Sequence, residues 1–266
     1  MEEKSLESIS ELEEEVQKLR ELVEASMATD IQSRPKLLFR GHSDREWQLE
    51  TTLERYDDGT YTVNRYNHIL WATSSVVSSH TGKSWIVDRE SYKEEEDFLR
   101  PPNYEYMAHS RHLGFPSPLL DWTRSMYIAL YFAYSSARKD KQISIMVYIE
   151  TLSPGKVGIL GAPKIVELGP FLHTHSRHFA QQGQYTVCVK KDSDHWEYCP
   201  HNNGFLSSKG KKQDMLYKFA LPGCIKDEVL FKLHEMNINE YTIYGSEDAL
   251  FKSLAFQEIT MRNSRR

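Results

Sequence analysis

The chain has 266 residues, 39% of them hydrophobic, which is ample for one large cored domain or two small ones. Its formal net charge is −5, but Met1–Thr29 holds nine Glu against three Lys or Arg, so the body is close to neutral and lacks the overall basicity that drives nonspecific nucleic-acid binding. Cys188, Cys199 and Cys224 are too few and too scattered for a disulfide framework, and neither a secretory leader nor a long apolar span is visible. The expectation is a soluble cytoplasmic protein with no membrane association.

Ile9, Leu12, Val16, Leu19 and Val23 recur at steps of three and four, which predicts an amphipathic helix over 6–25. Its outer face is acidic, with Glu11, Glu13, Glu14, Glu15 and Glu21. Barely two heptads favour intramolecular packing over a coiled coil, the alternative being a partner-binding helix. Residues 1–29 are thus read as an N-terminal acidic helix and 30–266 as the main domain.

After a linker at 29–36, Leu37-Leu38-Phe39 reads as a core strand that runs into Arg40-Gly41-His42. A buried arginine needs a carboxylate, carbonyls or a bound phosphate, and Gly41 permits a close approach to the backbone. Further on, 66–79 has helical character. The loop Thr81-Gly82-Lys83-Ser84 lacks the first glycine and the strand of a phosphate-binding loop. An acidic helical patch over 91–99 ends at Pro101-Pro102.

A helix ending near Gly114 is followed by Pro116 and Pro118, and then by Asp121-Trp122-Thr123 ahead of an apolar helix reaching about Ala137. Local chemistry makes Asp121 or Thr123 its cap. Asp121 becomes a site carboxylate only if Arg40 or a ligand lies near it. Strands are expected at 143–149, 185–189, 215–221 and 240–244, and a polar, solvated insertion at about 192–212 carries Lys209, Lys211 and Lys212. A helix over 225–236 precedes the last of these strands, and a final helix starts at Glu247 with Ser246 as its cap. The histidines around 173–178 and 195–201 lack the paired spacing of a zinc site, so no metal is expected. Together these elements make an α+β fold: one mixed domain with central strands, a buried helix after Asp121 and the N-terminal helix.

Phe39-Arg40-Gly41-His42-Ser43, His112-Leu-Gly114-Phe-Pro116, and Leu119-Leu120-Asp121-Trp122-Thr123 with Ala129–Ala133 together resemble the FRG domain family, named for its Phe-Arg-Gly signature. Two later segments, Arg177–Thr186 and Tyr244–Leu250, fit the same family. The chain departs from the family's pattern at Arg111, where Gln is usual, and at Ser117-Pro118, where Thr-Arg is usual. The layout is more weakly similar to NAD-using ADP-ribosyltransferases. That resemblance implies Arg40, Gly41, His42, Gln182 and Tyr185 as residues holding NAD, here a substrate, and Glu247 as the carboxylate that steadies the oxocarbenium-like sugar. It also implies a nucleic acid or a protein as acceptor, in a toxin or phage-defence setting. Two other readings stand beside it: a non-catalytic nucleotide- or nucleic-acid-binding module, and a hydrolase using His112 and Asp121 as acid and base.

Overall fold

The computed structural model of the chain describes residues 1–26, 36–90, 98–150, 161–169, 176–206 and 214–264. In chain order they form β1 (Glu2–Ser5), α1 (Ile9–Ser26), β2 (Leu37–His42), α2 (Thr52–Tyr56), α3 (Val63–Thr81), α4 (Tyr104–His112), β3 (Leu120–Thr123), α5 (Met126–Ser135) and β4 (Gln142–Ile149). There follow β5 (Lys164–Leu168), α6 (Ser176–Ala180), β6 (Gly183–Asp192), β7 (His195–Tyr198), α7 (His201–Leu206), β8 (Met215–Pro222), α8 (Lys226–Glu235), α9 (Glu240–Tyr244) and α10 (Glu247–Ala255). This is an α+β architecture around one mixed sheet in the order β1-β8-β4-β2-β3-β6-β5, with β7 paired to β6. Among the described residues no helix is long and apolar enough to cross a membrane.

Alternation divides the core. Ile143, Ile145, Val147 and Ile149 of β4 point with Phe39, Phe219 and Leu221 toward α1, α5 and α8, whose apolar stripes close over them. The intervening residues Met146 and Tyr148 join Leu38, Leu120, Trp122, Cys188 and Leu216 in a second cluster. A third cluster packs α3 and α4 against Tyr185, Val187 and Val189 of β6. The stripe of α1 is buried along its length, with Leu12 at 0% and Val16 at 1% exposure. Just before it, β1 pairs in parallel with β8, from Glu2 opposite Tyr217 to Ser5 opposite Ala220.

Gly41 explains how α5 sits so close to β2. A Cβ at this position would lie 2.0 Å from the Ala129 carbonyl oxygen and 2.7 Å from the Ala133 nitrogen, and neither backbone atom can step aside.

Several expectations need correcting. Leu120–Thr123 is a strand, not a helix start; Ser125 caps α5 through its Oγ, which accepts from the Ile128 amide. Residues 240–244 are helical, because Asn239 and Thr242 form a reciprocal cap and Gly245, at φ 64°, ends the turn. The polar insertion contains β7 and α7, with His201 fully buried and Trp196 at 7% exposure, so it is not a solvated loop throughout. Ser246 stands at the N-cap of α10 but makes no capping hydrogen bond. Outside the described residues lie most of the 29–36 linker, the acidic patch over 91–97, His173, His175, and Lys209, Lys211 and Lys212.

Candidate functional site: a guanidinium-rich cavity between two splayed strands

β2 and β3 share one paired position, Phe39 opposite Thr123. A cavity of about 350 Å³ is lined by residues of both strands together with β6, α4, α5 and the end of α9. Arg40, Gly41, His112, Asp121 and Tyr185 all line it, so residues drawn from positions 40 to 185 of the chain converge there.

Asp121 is the hub. Strand geometry sends its carboxylate to Arg111, which grips both oxygens through Nε and Nη2, and its carbonyl oxygen to Arg40, whose Nη1 donates to it at 2.7 Å. Arg40 Nη1 lies 4.0 Å from the Asp121 carboxylate, beyond hydrogen-bonding reach. Thr52 at the start of α2 completes the hold on Arg111: its Oγ1 accepts from Nη1 at 2.6 Å and from the Ser117 amide at 2.9 Å. Arg111 thus spends all three of its nitrogens on the protein.

Arg40 does not. Its Nε donates to His42 Nε2 at 3.1 Å and Nη1 to the Asp121 carbonyl, while Nη2 finds no partner among the described residues. Burial, partly offset by Asp121 and reinforced by Arg111, brings Arg40 down to about 10, so it stays charged at neutral pH. Burial and the Arg40 charge push His42 down to about 3, which keeps its ring neutral and Nε2 free to accept. His42 therefore stands behind Arg40 as its support and is not among the cavity-lining residues. Burial works to raise the Asp121 pKa, but Arg111 and Arg40 outweigh it and hold the carboxyl below its ordinary value. With two guanidiniums, one carboxylate and a neutral His42, this cluster has a net charge of +1.

The opposite wall is aromatic. The Tyr185 hydroxyl and His112 Nε2 lie 2.7 Å apart, and the His178 ring stacks on Tyr185 with centroids 5.5 Å apart and planes 13° from parallel. Burial first, then the Asp121 charge, raises the Tyr185 pKa, so its hydroxyl keeps its proton. Tyr244 and Phe132 meet edge to face at 6.5 Å, with the Arg177 guanidinium 5.7 Å from the Tyr244 ring centre.

Besides His42, two expected residues stand apart from the lining. Gln182 is exposed in the left-handed region at φ 47°, and its carbonyl accepts from the Arg124 amide; its neighbour Gln181 lines the cavity instead. Glu247 is exposed in the first turn of α10, whereas Tyr244, three residues earlier, reaches the lining. Lining residues not expected from the sequence include Arg111, Thr52, Thr123, Phe132, Gln181 and Tyr244. Arg111 carried the one signal that pointed to it, as a departure from the family pattern.

Residues 35–142 match the family model described as FRG domain. The FRG-domain match is confined to these residues, less than half of the chain. The match runs from just before β2 to the first residue of β4 and takes in Arg40, Arg111, His112 and Asp121, while the segments at 177–186 and 244–250 lie beyond it. No curated protein and no solved structure matches the chain.

Elsewhere, Asp192, His195 and Glu197 at the β6–β7 hairpin bring ligand atoms within 4.8 Å of one another. Glu197 already holds His195 at 3.0 Å and the Lys190 ammonium at 3.2 Å, so a cation is on that carboxylate.

Proposed function

We propose that the FRG-domain cavity binds the phosphate of a nucleotide, NAD being the first candidate, and that the chain acts on it as an ADP-ribosyltransferase-like enzyme. One observation carries this reading: two guanidiniums converge on Asp121, Arg111 on its carboxylate and Arg40 on its carbonyl oxygen, and the less committed of them, Arg40, faces the cavity with Nη2 unassigned. A desolvated guanidinium of this kind favours a phosphate over water, because the charge-assisted hydrogen bond is strongest where water is scarce. Tyr185, Tyr244 and Phe132 supply flat apolar surfaces suited to a nicotinamide or a base.

In this reading Arg40 takes the phosphate and His42 fixes its orientation. Asp121 is the carboxylate that the cavity offers to a sugar losing nicotinamide, with Arg111 holding it in place. Cleavage of the glycosidic bond leaves positive charge on the sugar, and a fixed carboxylate facing it lowers that barrier.

The experiment is incubation with nicotinamide-labelled NAD, alone and with RNA, DNA or protein acceptors. Released nicotinamide that disappears in Arg40→Ala supports the transferase. Tight binding of ADP-ribose without any release leaves a nucleotide-binding module. If neither binding nor release is seen, the nucleotide reading fails. Loss of one charge-assisted contact amounts to about 1.5–3 kcal/mol, so Arg40→Ala weakens ADP-ribose binding roughly tenfold or more.

A further inference from the structure

β6 has two faces. Gly183 and Tyr185 look into the cavity, while Thr186 and Cys188 serve the opposite side, where the Trp122 Nε1 donates to Thr186 Oγ1 at 2.8 Å and the His201 ring meets the same oxygen at 2.9 Å. On that side the β6–β7 register, with Val189 opposite Tyr198, brings Cys188 opposite Cys199; the Cys199 amide donates to the Cys188 carbonyl at 3.0 Å. The two sulfurs are 3.3 Å apart. We propose that Cys188 and Cys199 are a redox modification site, closing reversibly into a disulfide that fastens β7 and α7 to the strand carrying Tyr185.

Geometry supports closure without rearrangement. Residues directly opposite on antiparallel strands have Cα atoms about 4.5–5.5 Å apart, inside the range a disulfide spans, and the sulfurs need to approach by little more than an ångström. The two thiols differ in access. Cys199 is half-buried and lines a second cavity with Thr51, Glu54, Pro118 and Tyr198. Cys188 is buried, and Gly204 of α7 packs so close that a Cβ there would be 3.1 Å from its sulfur. That crowding leaves no room for a glutathionyl group or added oxygens on Cys188. Its bond with Cys199, and then burial, raise its thiol pKa, so it does not meet an external oxidant first.

The oxidant class is a peroxide. Cys199 attacks hydrogen peroxide, the O–O bond breaks, and one water leaves as the sulfenic acid forms. Cys188 then attacks the sulfenic sulfur, passing its proton to the departing hydroxyl, which leaves as a second water. Two thiols are oxidised and one peroxide is reduced. A dithiol reductant reverses the link by exchange.

The exposed third cysteine, Cys224, is first replaced by serine so that links between chains do not confuse the result. The folded C224S chain is treated with hydrogen peroxide, alkylated and weighed intact. The expected product has lost two hydrogens, maps to a Cys188–Cys199 peptide and melts about 5 °C higher until dithiothreitol restores the original value. The further change C199S abolishes the mass loss. Addition of oxygen without a cross-link, or a cross-link that forms only after denaturant is added, overturns the proposal. Neither outcome depends on the ligand of the β2–β3 cavity.

Discussion

The half of the sheet under α1, α5 and α8 and the seam between β2 and β3 are built on opposite principles. The first is a closed apolar layer in which β4 contributes Ile143, Ile145, Val147 and Ile149 and α1 contributes Leu12 and Val16, all essentially without solvent contact. The second holds Arg40, Arg111 and Asp121, where each charge has to be matched by a partner or by a ligand. Packing is satisfied by shape alone; the seam keeps one positive charge in excess of its carboxylate. Burial therefore reads as stability in one region and as an electrostatic cost, met by hydrogen bonds, in the other.

The largest expected effect tests the packed layer. Gly41→Ala drives a methyl group into the backbone of α5 and costs about 3 kcal/mol or more, visible as a lower denaturant midpoint. An unchanged midpoint would mean that α5 does not press on β2.

Next comes the seam. Asp121→Asn leaves two guanidiniums without their carboxylate. A fully buried pair broken this way costs about 3–5 kcal/mol; since the Asp121 side chain is 45% exposed toward the cavity, the expected cost is about 2 kcal/mol. ADP-ribose binding should hold or strengthen, because Arg111 is released, while NAD turnover is lost. Arg40→Ala is the complement: stability changes by less than about 1 kcal/mol, since a like charge beside Arg111 is removed along with two hydrogen bonds, yet binding falls. If both variants lose stability and binding alike, the distinction between the two regions collapses.

An effect of comparable size concerns pH. Burial and the neighbouring Glu150 raise Glu167 to about 7, while Gln184 donates to it at 2.8 Å and Lys36 lies 3.6 Å away. A carboxyl whose folded pKa is raised binds more protons folded than unfolded, so its contribution is present at pH 4.5 and is lost as pH rises toward 7. Glu167→Gln should flatten that slope in denaturant titrations, by about 1–3 kcal/mol across the window. The smallest change is Glu247→Gln, within about 0.5 kcal/mol in stability and with ADP-ribose affinity unaltered. A loss of turnover in Glu247→Gln with Asp121→Asn intact would move the catalytic carboxylate to α10.

The parts legible in the sequence were those where one periodicity dominated. Leu37–His42 is a strand with the expected bounds, and the apolar runs at 143–149 and 215–221 fall within β4 and β8. β1 was missed because Glu2-Glu3-Lys4-Ser5 has no apolar face; it is held by backbone pairing with β8 and by surface ion pairs of Glu3 with Arg45 and of Lys4 with Glu15. β3 was missed because Asp121 and Thr123 are equally good helix caps, and only the long-range pairing with β6 decides between strand and cap. Residues 240–244 went the other way: Tyr241, Ile243 and Tyr244 suit a strand, but the Asn239 cap and Gly245 close a helical turn. At the site, the need of Arg40 for a partner was legible from burial, whereas Arg111 was not, because its role depends on α4 arriving beside Asp121. That is a property of the fold rather than of any local pattern.

The parallel pairing of β1 with β8 has a consequence for how the chain is made. Glu2 meets Tyr217 only after roughly 200 further residues have been synthesised, a wait of about 10–40 s at ordinary elongation rates. During that interval the first strand is an unpaired edge, and the apolar stripe of α1 waits first for β4 and then, beyond the end of the interval, for α8. Charges at Glu2, Glu3 and Lys4 make that edge a poor template for other chains, so the feature that hid β1 from the sequence also protects the nascent protein until its partner strand emerges.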